Sequence, residues 1–212
     1  MISLENITKN YRDVKLFSNL SQQFDAGLIY AIVGGNGSGK SVLLRLIAGF
    51  AKPEEGVIWI RGERLGEKHD FISEAGISID QPEFVGHWTG LDNLMYLANI
   101  RGIATKEEIL NLASRLDLTD ALGRRYRTYS QGMRQKMRII QALMEHPTIL
   151  LMDEPFTALD EDTTDEVIEL FKTFRSPDRL IIFTSHDREI IEQLADVIIS
   201  MRELKGRQRL GE

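Results

Sequence analysis

Eight consecutive residues are the strongest indication of the fold: Gly34-Gly35-Asn36-Gly37-Ser38-Gly39-Lys40-Ser41, which fit the pattern G-x-x-x-x-G-K-S/T. An apolar run, Leu28–Val33, precedes them, and a pattern of helical spacing begins near Lys40. Glycines let the backbone turn tightly and direct its N–H groups at phosphate oxygens, and the start of the helix adds partial positive charge. We therefore predict a phosphate-binding loop in which Lys40 reaches the β- and γ-phosphates and the Ser41 hydroxyl ligates Mg²⁺.

Short apolar runs bounded by turn residues recur along the chain. They are rich in Ile, Val and Leu and do not alternate cleanly with polar residues, as is typical of strands buried on both faces. The runs are Leu28–Val33, Val57–Ile60, Ile149–Met152, Leu180–Thr184 and Val197–Met201. Helical spacing over Ser41–Gly49 and Thr163–Phe174 separates some of them. Strands that alternate with helices indicate an α/β fold, a phosphate-loop NTPase core with a mostly parallel sheet.

Two regions depart from that alternation. Residues 1–30 carry strand-like runs without a long helix, which predicts an N-terminal antiparallel β meander. Residues 84–146 show helical spacing over Gly90–Ile100, Lys106–Leu116 and Gly132–Glu145, with Thr105 as an N-cap, which predicts an inserted helical sub-domain. We expect a single domain over residues 1–212. Its parts would be a catalytic core with a β sub-domain (1–83 and 147–201), the helical sub-domain (84–146) and a polar tail (202–212) that frays.

Composition narrows the class of protein. The chain has 212 residues, of which 42% are apolar, enough for a core at this length. Its net charge of −6 argues against a nucleic-acid partner, because such proteins usually carry a basic surface. The lack of cysteine excludes disulfides and thiolate metal sites. Residues Met1–Asn6 give no expectation of a signal peptide, and no apolar run approaches the ~20 residues that span a bilayer. Any membrane role would then depend on a partner.

The run Ile149–Met152 ends in two carboxylates, Asp153 and Glu154. Ionised groups at the end of an apolar strand need a cation or a polar site. In a phosphate-loop protein the first acid holds Mg²⁺, and the second can act as general base toward the attacking water. We predict these roles for Asp153 and Glu154. Alone, the pair would fit a strand end in a solvated turn, and together with the loop it leaves kinases, GTPases and recombinases open.

A third motif narrows the choice. The stretch Tyr129-Ser130-Gln131-Gly132-Met133-Arg134-Gln135 resembles the signature of the ATP-binding cassette (ABC) family, usually written LSGGQ, and Gly132 lies 21 residues before Asp153, as in that family. The resemblance extends over nearly the whole chain. The further matches are Tyr11 with the adenine-stacking aromatic residue, Gln81 with the glutamine loop, Thr157–Asp160 with the D-loop and His186 with the switch histidine.

The resemblance implies a role for each matched position. Tyr11 would stack on adenine, Gln81 would contact Mg²⁺ or the attacking water, and His186 would hydrogen-bond the γ-phosphate. The implied nucleotide-binding residues are Tyr11, Gly34 to Val42, Ser130, Gln131, Gly132 and Asp160; the implied catalytic residues are Lys40, Gln81, Glu154 and His186; the implied Mg²⁺ ligands are Ser41, Gln81 and Asp153. Without the resemblance, Tyr11 fits a strand edge and Gln81 fits an ordinary loop.

The signature also has a consequence for assembly. In the family it contacts the nucleotide of the opposite subunit, so two copies of this chain, head to tail, would form two complete ATP sites. The chain departs from the family pattern at Gly35, where proline is usual, at Val42, where Ser or Thr is usual, and at Gln131, where a side chain replaces a glycine near the phosphate. The first two changes remove no ligand. Signature variants of this type occur in cassettes that resemble bacterial exporters.

The function implied is that of an ATP-binding and ATP-hydrolysing subunit, cytoplasmic and peripheral on the inner face of the cell membrane. It would power a separate transmembrane permease, an exporter, docked near Gln81 and Glu83–Trp88. There Phe84 and Trp88 are either permease contacts or internal packing residues. One alternative is a soluble ABC ATPase that acts on nucleic acid or ribosomes, which predicts hydrolysis stimulated by nucleic acid. Another is a phosphotransferase, which predicts phosphate on an acceptor rather than on water.

Overall fold

The computed structural model describes residues 1–11, 14–80 and 84–206 of the chain. The strands are β1 (Ile2–Tyr11), β2 (Val14–Phe24), β3 (Ile29–Val33), β4 (Glu55–Ile60), β5 (Glu63–Arg64), β6 (Ala75–Ser78), β7 (Ile149–Met152), β8 (Leu180–Thr184) and β9 (Val197–Ser200). The α-helices are α1 (Lys40–Ala48), α2 (Gly90–Arg101), α3 (Lys106–Arg115), α4 (Gln131–Leu143), α5 (Glu161–Phe174), α6 (Arg188–Leu194) and α7 (Met201–Gly206).

A parallel sheet carries the phosphate loop, with its strands in the order β6-β7-β8-β3-β9. Strands β7 and β8 have the predicted bounds and are buried throughout, because their apolar residues pack on both faces. All these strands run in the same direction, so their carboxyl ends meet at one edge of the sheet. The segments that follow those ends include the phosphate loop after β3, Asp153 after β7 and His186 after β8.

A second sheet is antiparallel, in the order β2-β1-β4-β5. It confirms the predicted N-terminal antiparallel element, and it is larger than expected because β4 and β5 join it. The expectation that Val57–Ile60 belongs with the parallel strands is wrong, since Ile58 pairs with Leu4 in antiparallel register. Gly56 permits this close approach. Its φ is 93°, and a Cβ there would lie 2.5 Å from a backbone oxygen of the neighbouring strand β1.

Helix α1 packs into the core that the two sheets share. Leu43 and Leu46 of α1 are fully buried in one cluster with Leu4 of β1 and Ile32 of β3. Alternate residues of the parallel strands, such as Ala31, belong to a second cluster together with α4 and α5. Helices therefore cover both faces of the parallel sheet, as its apolar sequence requires.

The helical region predicted between residues 84 and 146 contains α2, α3 and α4, and we propose that it is a sub-domain. Capping boxes open α2 at Thr89 and α3 at Thr105, where each hydroxyl accepts a backbone N–H from the first turn. Helix α4 begins one residue earlier than predicted, at Gln131, because Ser130 Oγ accepts the N–H of Met133.

Two further elements differ from the sequence predictions. The tail was expected to fray from residue 202, but Met201–Gly206 forms α7, in which Met201 and Leu204 are buried against the N-terminal sheet. Residues 207–212 lie outside the described ranges. Strand β6 was not predicted, because Ile77 alone among its four residues strongly favours strands. Its pairing with β7 compensates for this weak local preference.

Candidate nucleotide-binding site

The loop between β3 and α1 places glycine where the backbone requires it. Gly37 and Gly39 have φ values of 73° and 104°, in the left-handed region that other residues rarely adopt. Ser38 Oγ is buried and has no hydrogen-bond partner within residues 1–11, 14–80 and 84–206. A buried hydroxyl with unused capacity beside a helix N-terminus is suited to a phosphate oxygen.

Lys40, the first residue of α1, is 8% exposed. Its Nζ donates a hydrogen bond to the Gly34 carbonyl at 2.8 Å and lies 3.7 Å from Glu154 Oε1. The buried ammonium group is therefore held where the phosphate loop and the carboxylate pair of β7 meet. A buried positive charge needs a nearby anion, and the Glu154 carboxylate is that anion here.

The two carboxylates after β7 are held by their neighbours in the sheet. The Asp153 N–H donates to the Ser78 carbonyl of β6 at 2.7 Å. From β8, the Thr184 hydroxyl donates to Asp153 Oδ1 at 2.7 Å and accepts the Glu154 N–H at 2.8 Å. Glu154 has a φ of 49°, an uncommon value for a residue other than glycine. One buried hydroxyl thus orients both acids.

His186 follows β8 and reaches the same place. Its Nδ1 lies 3.1 Å from Glu154 Oε2, and its side chain is 77% exposed. The ring is therefore accessible to a ligand that binds beside the carboxylate. Lys40, Glu154 and His186 therefore form a chain of polar contacts at the carboxyl edge of the sheet.

A cavity of about 420 Å³ lies over the phosphate loop. Among the described residues, its walls include Tyr11 and Leu16 from the antiparallel sheet and Asp153 and Glu154 from the parallel sheet, and residues 35–42 form its floor. The volume is in the usual range for a small-ligand site, ~300–1,000 Å³. Tyr11 is 49% exposed, so its ring presents a surface at the rim of the cavity.

The signature residues lie at the start of α4. Ser130 is the N-cap, and Gln131 and Gly132 are the first two residues of the helix. A Cβ at Gly132 would lie 2.8 Å from the Ala158 carbonyl, so glycine allows α4 to pack against the loop that contains Asp160. None of Ser130, Gln131 and Gly132 is among the described residues that line the cavity over their own phosphate loop.

Comparison with known proteins decides the family. The family model described as "ABC transporter" matches residues 17–157. The chain belongs to the ABC transporter family. This cassette is 36% identical to the ABC transporter ATP-binding protein YybJ of Bacillus subtilis (strain 168), over 95% of the chain and 92% of that relative. It is 31% identical to the bacitracin transport ATP-binding protein BcrA of Enterococcus faecalis, over 96% of the chain and 67% of that relative.

A solved structure supports the fold of the cassette. It is a dimeric ATP-binding cassette in a post-hydrolysis state bound to ADP and Pi, with a TM-score of 0.82 and 24% identity, and the match covers 94% of each chain. The likeness confirms the predicted fold class. Membership of the family makes the cassette an ATP-binding protein and an ATPase.

Two predicted site residues of the cassette, Asp160 and Gln81, are not among the described residues that line the cavity over the phosphate loop. Asp160 caps α5, where its Oδ1 accepts the Thr163 N–H at 2.8 Å. Hydrogen bonds from the Thr163 side chain and backbone hold the pKa of Asp160 below its ordinary value. Gln81 lies outside the described residues, so its roles toward Mg²⁺ and water stay predictions.

Two further residues of the site were not predicted from the sequence. Thr184 is fully buried and orients the carboxylate pair. The sequence feature that could have identified it is that it carries the one hydroxyl group in the apolar run of β8. Gln135 is 5% exposed, and its Nε2 donates to the Pro155 carbonyl at 2.8 Å, which ties α4 to the segment after Glu154. The sequence feature that could have identified Gln135 is its position in the signature stretch.

Proposed function

We propose that this cassette is the ATP-hydrolysing subunit that powers a separate membrane-spanning subunit, and that the assembly is an exporter. The observation that carries the proposal is the convergence of Lys40, Glu154 and His186, with contacts of 3.7 Å and 3.1 Å to the two oxygens of one carboxylate. A phosphate-binding lysine, a candidate base and a histidine are the groups that hydrolysis of a terminal phosphate needs.

We propose a task for each of these three side chains. Glu154 accepts a proton from the attacking water, and His186 hydrogen-bonds the γ-phosphate from the neighbouring strand end. Lys40 lies between the Gly34 carbonyl and Glu154, so a bound γ-phosphate would draw the ammonium group toward itself. The Glu154 carboxylate would then lose its contact with Lys40 and be available to the attacking water.

The residues present also fit a magnesium ion. Ser41 and Asp153 line the same cavity, and the bond from Thr184 leaves Asp153 with lone pairs for a cation or its water. Within the described residues no group of three His, Cys, Asp or Glu side chains could hold a metal by itself. Mg²⁺ normally takes one or two protein ligands together with phosphate oxygens and waters. We propose Ser41, Asp153 and Gln81 as these ligands. The ion would neutralise phosphate charge.

We infer that a second copy of the chain completes the site. Ser130, the cap of α4, and Gln131 and Gly132 in its first turn are not among the described residues that line the cavity over their own phosphate loop. A helix N-terminus attracts an anion, and a γ-phosphate held by the other copy supplies one. In this arrangement ATP lies between the two chains, and hydrolysis releases them. Gln131 would place its amide beside that phosphate.

The partner we propose is a transmembrane permease, with the cassette cytoplasmic and peripheral on the inner face of the membrane. None of the helices in the described part of the chain is long and apolar enough to cross a bilayer. Phe84 packs edge-on against Tyr126, with ring centroids 5.0 Å apart, which favours an internal role for Phe84. Trp88 contacts the exposed ring of Tyr96 at 5.3 Å and remains a candidate permease contact.

Co-purification tests the proposal. The tagged chain is expressed in its native host, membranes are solubilised in detergent, and the membrane protein that elutes with the tag is identified and reconstituted with the chain in vesicles. We expect Mg-ATP to drive transport away from the cassette side, and Glu154→Gln to abolish transport without loss of the complex. Transport toward the cassette side would refute the exporter assignment. Recovery of the chain without any permease, together with hydrolysis stimulated by RNA or DNA, would favour the nucleic-acid alternative.

A further inference from the structure

An ion pair ties the phosphate-loop helix to the end of strand β6. Arg45 of α1 donates from Nε to Asp80 Oδ2 at 2.8 Å and from Nη2 to Asp80 Oδ1 at 2.6 Å. This is the two-point geometry in which a guanidinium group fixes the direction of a carboxylate as well as its distance. The two residues are 35 positions apart in the chain, so the pair joins separate elements.

Each end of the pair is next to a part of the site. Arg45 lies four residues after Ser41, one helical turn away, and therefore on the same face of α1. Asp80 directly precedes Gln81 in the chain and follows β6. That strand end is in turn fixed to the carboxylate pair, because the Ser78 carbonyl accepts the Asp153 N–H at 2.7 Å.

The backbone of Asp80 is suited to this task. Its φ is 61°, in the left-handed region, which aspartate and asparagine tolerate better than most residues. The side chains of Arg45 and Asp80 are 34% and 50% exposed, so solvent screens the pair and it contributes little to folding. The main effect of the pair is then to hold Asp80 in a fixed position relative to α1, and not to stabilise the fold.

We propose that Arg45 and Asp80 are positioning residues for ATP hydrolysis. Their bond fixes the point at which the chain leaves β6 toward Gln81, relative to Lys40 and Ser41 at the start of α1. The inference rests on the proposed function, since it assigns a role within the same site. It predicts that loss of the bond slows the chemical step and leaves nucleotide binding largely intact.

The chain contains a matched control. Arg61 and Glu74 form an ion pair of 2.6 Å with side-chain exposures of 35% and 55%, and Glu74 has a φ of 52°. This acid immediately precedes β6, whereas Asp80 follows it. Neither pair is among the described residues that line the cavity over the phosphate loop, so both act on that cavity only through other residues, if at all. The control pair differs from that of Arg45 and Asp80 in that neither residue shares a helix face with Ser41 or directly precedes Gln81. It also differs in that Arg61 donates to the Thr148 hydroxyl.

The experiment compares two double-mutant cycles on the purified full-length chain. One cycle contains Arg45→Gln, Asp80→Asn and the double variant, and the other contains Arg61→Gln, Glu74→Gln and their combination. Steady-state hydrolysis of Mg-ATP gives kcat and KM, and thermal unfolding gives Tm. Asparagine keeps the size of Asp80 and tolerates its backbone conformation, so a lost charge is separated from a strained backbone.

We expect Asp80→Asn and Arg45→Gln each to lower kcat about tenfold, with KM changed less than about twofold, because a small misplacement near the reacting groups slows the chemical step. The double variant should be no slower than either single one, because the two side chains act as a unit. Variants of the control pair should keep kcat, and all variants should keep Tm within ~4 °C.

Two results would overturn the inference while the proposed function stands. In one, the wild type hydrolyses ATP and Asp80→Asn keeps the kcat of Glu74→Gln. In the other, the effects of Arg45→Gln and Asp80→Asn multiply in the double variant. A wild type that hydrolyses no ATP would overturn the proposed function, and the inference with it.

Discussion

Replacing Thr184 with valine removes one buried hydroxyl and keeps the shape of the side chain. Thr184 is fully buried, and its Oγ1 makes two bonds, to Asp153 Oδ1 at 2.7 Å and from the Glu154 N–H at 2.8 Å. In the valine variant the Glu154 N–H loses its partner, and Asp153 loses the group that orients it. Glutamate at a φ of 49° is already unfavourable, so the lost bond also removes support for that conformation.

The expected loss of stability follows from these two bonds. An orphaned buried N–H costs ~1–3 kcal/mol, and a hydrogen bond to a charged acceptor contributes ~1.5–3 kcal/mol. Asp153 is partly exposed, so water replaces part of the second term, and the added methyl group of valine returns ~0.8 kcal/mol. We expect the free energy of unfolding to fall by about 3 kcal/mol, which for a chain of this size lowers Tm by roughly 6–12 °C.

Urea denaturation and thermal unfolding measure this loss, and Thr184→Ser is the control because serine can make both bonds. We expect the serine variant to stay within about 1 kcal/mol of wild type, the approximate cost of one buried methyl group. The kcat for ATP should fall more than ~10-fold in Thr184→Val, because Glu154, the proposed base, and Asp153 are no longer oriented. Valine and serine variants with the same unfolding free energy and the same kcat would refute the reasoning.

Two further predictions concern packing and pH. Gly132→Ala places a Cβ 2.8 Å from the Ala158 carbonyl, so the free energy of unfolding in urea should fall by ~1–3 kcal/mol because of overpacking. An unchanged free energy of unfolding would show that the loop containing Ala158 moves to accommodate the methyl group. Hydrogen bonds from the Thr105 backbone and from His146 lower the pKa of Glu108 from 4.5 to about 2. The stability that the Glu108 charge supplies should therefore be complete above pH 4.5 and disappear as pH falls toward about 2. Glu108→Gln should then have a lower free energy of unfolding than wild type near neutral pH, and the two values should converge in acid.

Local signals were sufficient for the elements that lead into the site. Strands Ile149–Met152 and Leu180–Thr184 were predicted with their observed bounds, because runs that are apolar on both faces end sharply at polar residues. The glycine-rich loop was predicted between a strand and a helix, which is where the structure has it, and its binding of phosphate stays a prediction. In each case the deciding interactions lie within a few residues.

Nonlocal pairing explains what the sequence could not predict. Val57–Ile60 has the composition of a buried parallel strand, but its partner Leu4 runs antiparallel, and nothing within the run specifies the partner. The role of Thr184 depends on β7 and β8 being neighbours in the sheet, and the pairing of Arg45 with Asp80 depends on α1 lying beside the end of β6. Such contacts become visible only when distant segments are brought together.

The central claim is that Glu154 is the base of an ATP site completed by a second copy of the chain. Glu154→Gln keeps the shape of the side chain and removes its ability to accept a proton. Light scattering after gel filtration, with and without Mg-ATP, measures the assembly, and analysis of bound nucleotide measures turnover. Lys40→Ala is the control, and it should lose nucleotide affinity and remain monomeric.

For Glu154→Gln we predict ATP that stays bound, hydrolysis slowed by ~10²-fold or more, and a species with the mass of two chains that forms only with Mg-ATP. Wild-type turnover in this variant would contradict the assignment of the base. Bound, unhydrolysed ATP on a chain that remains monomeric would contradict the shared site.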